Sequence, residues 1–109
     1  MANEYVRGQT VRLTLQARRV DGSVPVADPT TVTVRVTDPA GTSTDYTLAS
    51  TAVVRDTSVN PFGDYYYDLA LPLAIVDAQL GWWIYAWITT GTPTVTEKNT
   101  FRLVSEKLR

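Results

Sequence analysis

From residue 11 to residue 18 the chain alternates without a break: Val11, Leu13, Leu15 and Ala17 are interleaved with Arg12, Thr14, Gln16 and Arg18. Apolar side chains two positions apart share one face of a strand but not one face of a helix, so this stretch specifies a half-buried β-strand. Val32, Val34 and Val36 alternate with Thr33, Arg35 and Thr37 in the same way. Asp38-Pro39-Ala40-Gly41 then closes the run with residues that favour a tight turn. Threonine and valine recur throughout, and their branched Cβ atoms lose rotamer freedom in helices while packing well on a pleated surface.

Further strands are expected at Thr44 to Leu48, Ala52 to Arg55, Tyr65 to Leu71, Trp82 to Thr90 and about Val95 to Val104, with a short one near Tyr5 and Val6. Turn residues such as Asn60-Pro61-Phe62-Gly63 and Gly91-Thr92-Pro93 separate them. Only Leu73 to Leu80 carries an ambiguous helix-like spacing, with Leu73, Ile75, Val76 and Leu80 able to plug one end of the fold. The expectation is an all-β, immunoglobulin-like antiparallel β-sandwich of seven to eight strands, filling one domain over residues 1–109. Chain order places the 11–18 and 65–71 strands on one sheet and the 32–37, 82–90 and 95–104 strands on the other. The expected core is Val11, Leu13, Leu15, Val32, Val34, Val36, Tyr65, Tyr67, Leu69, Trp83, Tyr85, Trp87, Phe101 and Leu103.

The 109 residues contain neither Cys nor His, which excludes disulfides, cysteine nucleophiles, serine-histidine catalysis and His/Cys zinc sites. Ten basic residues against eleven acidic ones leave a net charge of −1, with no basic cluster of the kind that binds phosphate backbones or anionic lipid. Nucleic acid and membrane are therefore not expected partners. Residues 1–7 show no apolar signal region and no stretch is long enough for a membrane helix, so synthesis and retention in the producer's cytoplasm are expected. No phosphate loop, dinucleotide fingerprint or nucleophile elbow occurs, and no cofactor is expected.

Carboxylates are the remaining acid-base resource. Asp64, Asp68 and Glu97 contain the two groups a glycosidase needs, and loop residues Asp28, Asp38, Asp45 and Asp64 offer oxygens to a calcium ion. Nothing in their spacing selects either role. Solvated strand ends and Asp-Pro turn starters account for them more simply, so no catalytic or metal-binding residue is assigned.

The strand after Gly81 is apolar on both sides. Trp83, Tyr85 and Trp87 point one way; Trp82, Ile84, Ala86 and Ile88 point the other, and one row alone fills the core of a two-layer sandwich. With the first row inside, the second forms an outward apolar stripe beside Thr33, Arg35 and Thr37, unless the 73–80 segment or the termini fold over it. Soluble monomers seldom leave such a stripe in water, so Trp82, Ile84, Ala86, Ile88 and Arg35 are the candidate protein-interface residues. Aromatic rings outside the core also suit sugar stacking, for which Trp82, Tyr66 and Phe62 are the candidates. Packing and interface anchoring explain the same rings more economically.

Gly8-Gln9-Thr10-Val11-Arg12-Leu13, Asp28-Pro29-Thr30-Thr31-Val32 leading to Val36-Thr37-Asp38-Pro39-Ala40-Gly41, Val54-Arg55-Asp56, Gly63 to Asp68, and Gly81-Trp82-Trp83-Ile84-Tyr85-Ala86-Trp87 follow one another in a specific order. Together they resemble a group of small tailed-bacteriophage proteins with an immunoglobulin-like fold. The resemblance implies a non-enzymatic virion structural protein, made in the host bacterial cytoplasm. It would dock on capsid, head-tail neck or other virion proteins as a decoration or connector-type component, as a homo-oligomer or in many symmetry-related copies. It implies no catalytic residues. Two departures stand out: the group reads roughly G-x-W-x-Y-x-W with polar residues between, where this chain has Trp82, Ile84, Ala86 and Ile88, and the Leu71 to Leu80 connection is longer and more apolar. A glycan-binding adhesion module on the virion surface is the alternative expectation.

Overall fold

A computed structural model describes residues 4–6, 8–19, 21–71, 80–91 and 94–104. These residues form eight strands and no helix: β1 (Glu4–Val6), β2 (Thr10–Gln16), β3 (Thr31–Thr37), β4 (Ser43–Thr47), β5 (Val54–Arg55), β6 (Asp64–Ala70), β7 (Gly81–Thr90) and β8 (Thr96–Val104). They make two sheets, one ordered β1-β8-β7-β3-β4 and the other β2-β6-β5. The expected division of the long strands between sheets is the one observed. The helix-like reading of 73–80 lies, except for Leu80, outside the described residues.

Period-two alternation translates directly into burial. Along β2, Val11, Leu13 and Leu15 are buried and Thr10, Arg12, Thr14 and Gln16 are exposed. Val32, Val34 and Val36 are buried on β3, and Trp83 and Trp87 on β7. The two inner faces meet in one cluster that also takes in Tyr65, Leu69, Phe101 and Leu103, with Tyr67 and Tyr85 packed partly buried against it. Phe101 stacks on Trp83 at 5.7 Å between centroids and meets Tyr5 at right angles at 5.7 Å, offset and T-shaped arrangements that suit the ring quadrupoles. Tyr46 of β4 stacks on Tyr67 of β6 at 4.1 Å, joining the two sheets along one side.

Two expectations need correction. The sandwich is mixed rather than wholly antiparallel, because β1 pairs parallel to β8, with Glu4, Tyr5 and Val6 opposite Arg102, Leu103 and Val104. After Val6 the chain turns at Gly8 and Gln9, where Gly8 N–H donates to the Leu71 carbonyl and Gln9 N–H to the Val6 carbonyl, and enters the other sheet as β2. A strand that joins its neighbour by crossing between sheets is not bound to the antiparallel direction a hairpin imposes. The segment expected as a strand from Ala52 is extended only at Val54–Arg55. Before it, Thr51 takes a positive φ of 68° and its N–H donates to the Leu48 carbonyl, so a turn ends just ahead of the expected strand and regular pairing begins only two residues later.

Charge placement sets the pH range of the fold. Hydrogen bonds hold five carboxylates below the usual Asp range: Asp28 from Arg55, Asp45 from Arg35, Asp68 from Arg12, Asp21 from Ser23 and Asp56 from Ser58. Each contributes stability that is present above the unfolded Asp value near 4 and lost as pH falls through the lowered folded value. Burial pushes Tyr65 and Tyr85 up, and burial followed by a hydrogen bond with Tyr46 pushes Tyr67 up to about 12. Their contribution is full below the unfolded Tyr value of about 10 and disappears as pH climbs toward 12. With no histidine in the chain, thermal melts across pH should give a plateau from about 5 to 9 that falls away on both sides.

Candidate functional site

β7 lies inside the five-stranded sheet, between β8 and β3, so its outward residues have sheet on both sides. Ile84, Ala86 and Ile88 stand opposite Thr37, Arg35 and Thr33 of β3. On the other flank, Trp82, Ile84, Ala86 and Ile88 stand opposite Arg102, Thr100, Lys98 and Thr96 of β8. Trp82 is 59% exposed and Ile84 40%, while Ala86 and Ile88 are half-buried between their neighbours. The structure thus gathers the candidate interface residues into one apolar row on the sheet's outer surface, with Arg35 beside Ala86; the 73–79 segment and chain ends that could cover it lie outside the described residues.

The charges around this row are tied sideways. Arg35 makes a two-pronged bond to Asp45 of β4, at 2.8 and 3.1 Å, and Arg102 reaches Glu4 of β1 at 3.5 Å. Both pairs point away from β7 toward the outer strands. Lys98 is left as a cation with no ion pair on this face among the described residues. Short threonine side chains at 33, 37, 96 and 100 rim the stripe without masking it. Such a surface is an apolar centre with a polar border, the build of a protein-contact patch.

The three glycan candidates are not brought together. Tyr66 lies on the outer face of the opposite sheet, where the Arg12 guanidinium sits 4.0 Å above its ring and bonds Asp68 at 2.8 and 2.9 Å. Arg12 thus occupies one face of that ring. Phe62 is half-buried, with the Arg55 guanidinium 5.5 Å from its ring. Trp82 alone presents an open ring.

Nor do the carboxylates converge. Asp64 and Asp68 are four residues apart on one strand, about 13 Å at strand rise, beyond the separation of a glycosidase pair. Asp64 is bonded to Arg18 at 2.7 Å and Glu97 belongs to the other sheet. Among the described residues no three acidic side chains gather where they could hold a metal ion. Asp38 accepts the Thr42 N–H at 2.9 Å, as a turn-starting aspartate does.

One feature was not legible in the sequence. At one end of the sandwich Asp28 accepts the Tyr65 hydroxyl at 2.7 Å and the Arg55 Nε at 3.0 Å, with a second contact from Arg55 Nη2. The same end carries an open groove of about 490 Å³ lined by Asp28, Pro29, Thr31, Thr47, Leu48 and Arg55. Asp28 is 27 residues from Arg55 and 37 from Tyr65, a convergence that only the fold creates. Because the carboxylate and guanidinium neutralise each other, this cluster pins three chain segments together and leaves no net charge to attract a ligand.

Among the described residues no helix is long and apolar enough to cross a membrane. Compared with known proteins, the chain matches no family model, no curated protein and no solved structure.

Proposed function

We propose that this chain is a non-catalytic docking module that attaches to a partner protein through the outer face of its five-stranded sheet. The observation that carries the reading is the row at the middle of that sheet in which Trp82 and Ile84 are exposed and Ala86 and Ile88 half-buried, an apolar surface that a partner would remove from water. Burying a large apolar side chain is worth about 1.5–3 kcal/mol, and repetition of the contact around a symmetric particle would turn modest single affinities into firm attachment.

On this proposal the setting is the tailed-phage virion, with capsid or neck subunits as partner, a reading that rests on the ordered motifs from Gly8 to Trp87. The finer fold assignment is an immunoglobulin-like sandwich. Its support is the strand order: β8-β7-β3-β4 corresponds to G-F-C-C′ and β2-β6-β5 to B-E-D of that topology. The glycan-binding alternative retains one open ring, Trp82, and is separated by following tryptophan fluorescence during titration with host polysaccharides.

Trp82→Asp is the direct test. An exposed strand residue tolerates the change within about 1 kcal/mol, so the variant should fold and remain soluble. It should nevertheless fail to incorporate into particles assembled in its presence. Normal incorporation by the folded variant would remove this face from consideration.

A further inference from the structure

We infer that a second copy of this chain pairs with the free edge of β2, joining two three-stranded sheets into one continuous six-stranded sheet. Ala17 N–H donates to the Gly63 carbonyl at 2.7 Å and Leu71 N–H to the Gln9 carbonyl at 2.9 Å, which fixes the parity of the β2–β6 ladder. Odd-numbered residues of β2 exchange bonds with β6. Thr10, Arg12, Thr14 and Gln16 therefore turn their N–H and C=O groups away from it, and among the described residues no main-chain group meets them.

The other edges are guarded. On β4, Asp45 stands on the edge and the Thr47 carbonyl is already taken by Val53 N–H at 3.1 Å. Glu97 and Lys98 occupy β8 where β1 does not cover it, β1 has three residues and β5 two. Charged residues and short length are the usual means of keeping strands from pairing with foreign chains. β2 has neither: seven residues without Pro or Gly, whose one charge, Arg12, is neutralised by Asp68 and folded over Tyr66.

The occupant follows from the register. Two identical edges related by a two-fold axis must run antiparallel. Centring the axis on Leu13 puts Thr10 opposite Gln16 of the second copy and Arg12 opposite Thr14, so every outward-turned residue meets another outward-turned residue. Four such pairs with two bonds each supply eight main-chain hydrogen bonds, and no like charges meet directly. A foreign strand would need side-chain pockets at this edge for selectivity. Val11, Leu13 and Leu15 are buried in their own core and leave none. The contact lies on the sheet opposite the Trp82 stripe and operates independently of it.

Sedimentation of the full chain over a concentration series should show the average mass rising toward twice the monomer value. Thr14→Pro removes an N–H that β6 does not use, a substitution edge strands accept, and should hold the mass at the monomer value throughout. Trp82→Asp should dimerise as the parent does. Amide exchange of the unmodified chain supplies a second readout that needs no variant: Thr10, Arg12, Thr14 and Gln16 should gain protection as concentration rises, while Thr96 to Thr100 should not. A constant monomer mass, unchanged exchange at those four amides, undiminished association of folded Thr14→Pro, or loss of association in Trp82→Asp would each overturn the inference.

Discussion

Trp87→Ala is expected to destabilise the protein by about 3–5 kcal/mol, the usual cost of emptying a site filled by a large buried aromatic side chain. Trp87 is 0% exposed on a strand with sheet on both sides, opposite Val34 of β3 and in the layer that faces Tyr65 and Leu13. Small domains have only about 5–15 kcal/mol to lose, so the denaturant midpoint should fall steeply with an unchanged slope. Among the described residues the indole Nε1 of Trp87 has no hydrogen-bond acceptor, and a buried donor without a partner costs about 1–3 kcal/mol. Trp87→Phe, which deletes that donor together with part of the ring, should therefore cost much less than alanine. Equal losses for the two would mean that the indole N–H is satisfied in solution.

The contrast between Trp87 and Trp82, five residues apart on one strand, shows how far sequence pattern reaches. Their difference in burial is a matter of parity, and parity was readable because Trp83, Tyr85 and Trp87 form the bulkier row and the neighbouring β3 pattern has valines in phase with it. The same rule identified the buried faces of β2 and β3. It failed where period two is not the operative constraint. Residues 52 and 53 read as strand, but the left-handed turn just before them, at Thr51, is held by a hydrogen bond that no alternation encodes. The direction of β1 depends on a crossover between sheets, and three residues carry no information about which neighbour they will join.

At the candidate face, the apolar row and its Thr33-Arg35-Thr37 border were legible, whereas the pairing that draws Arg35 toward Asp45 and Arg102 toward Glu4 was not. That pairing draws two of the three cations beside the stripe toward the outer strands and leaves Lys98 opposite Ala86. At Tyr66 a strand pattern says which way the ring points and nothing about the arginine above it.

Gly63→Ala should cost about 2–5 kcal/mol, by two separable effects. Gly63 has a φ of +104°, where an L side chain pays about 1–2 kcal/mol. A Cβ added there would also lie 2.8 Å from Pro25 Cδ, 2.9 Å from Arg18 Nη1 and 3.0 Å from the Ala17 carbonyl oxygen. Arg18 can swing aside, but the proline ring and the carbonyl cannot. The Gly63 carbonyl accepts Ala17 N–H at 2.7 Å and Arg18 Nη1 at 3.2 Å, so the displaced backbone is the joint that sets the β2–β6 register. Overpacking of this kind adds about 1–3 kcal/mol. Gly22→Ala provides the reference, because Gly22 has a comparable φ of +86° with nothing within 4 Å of the added carbon. It should lose only the conformational part, leaving Gly63→Ala lower in denaturant midpoint by the overpacking difference. Matching midpoints for the two variants would show that Pro25 and Ala17 yield freely, and that the β2–β6 joint is held from elsewhere.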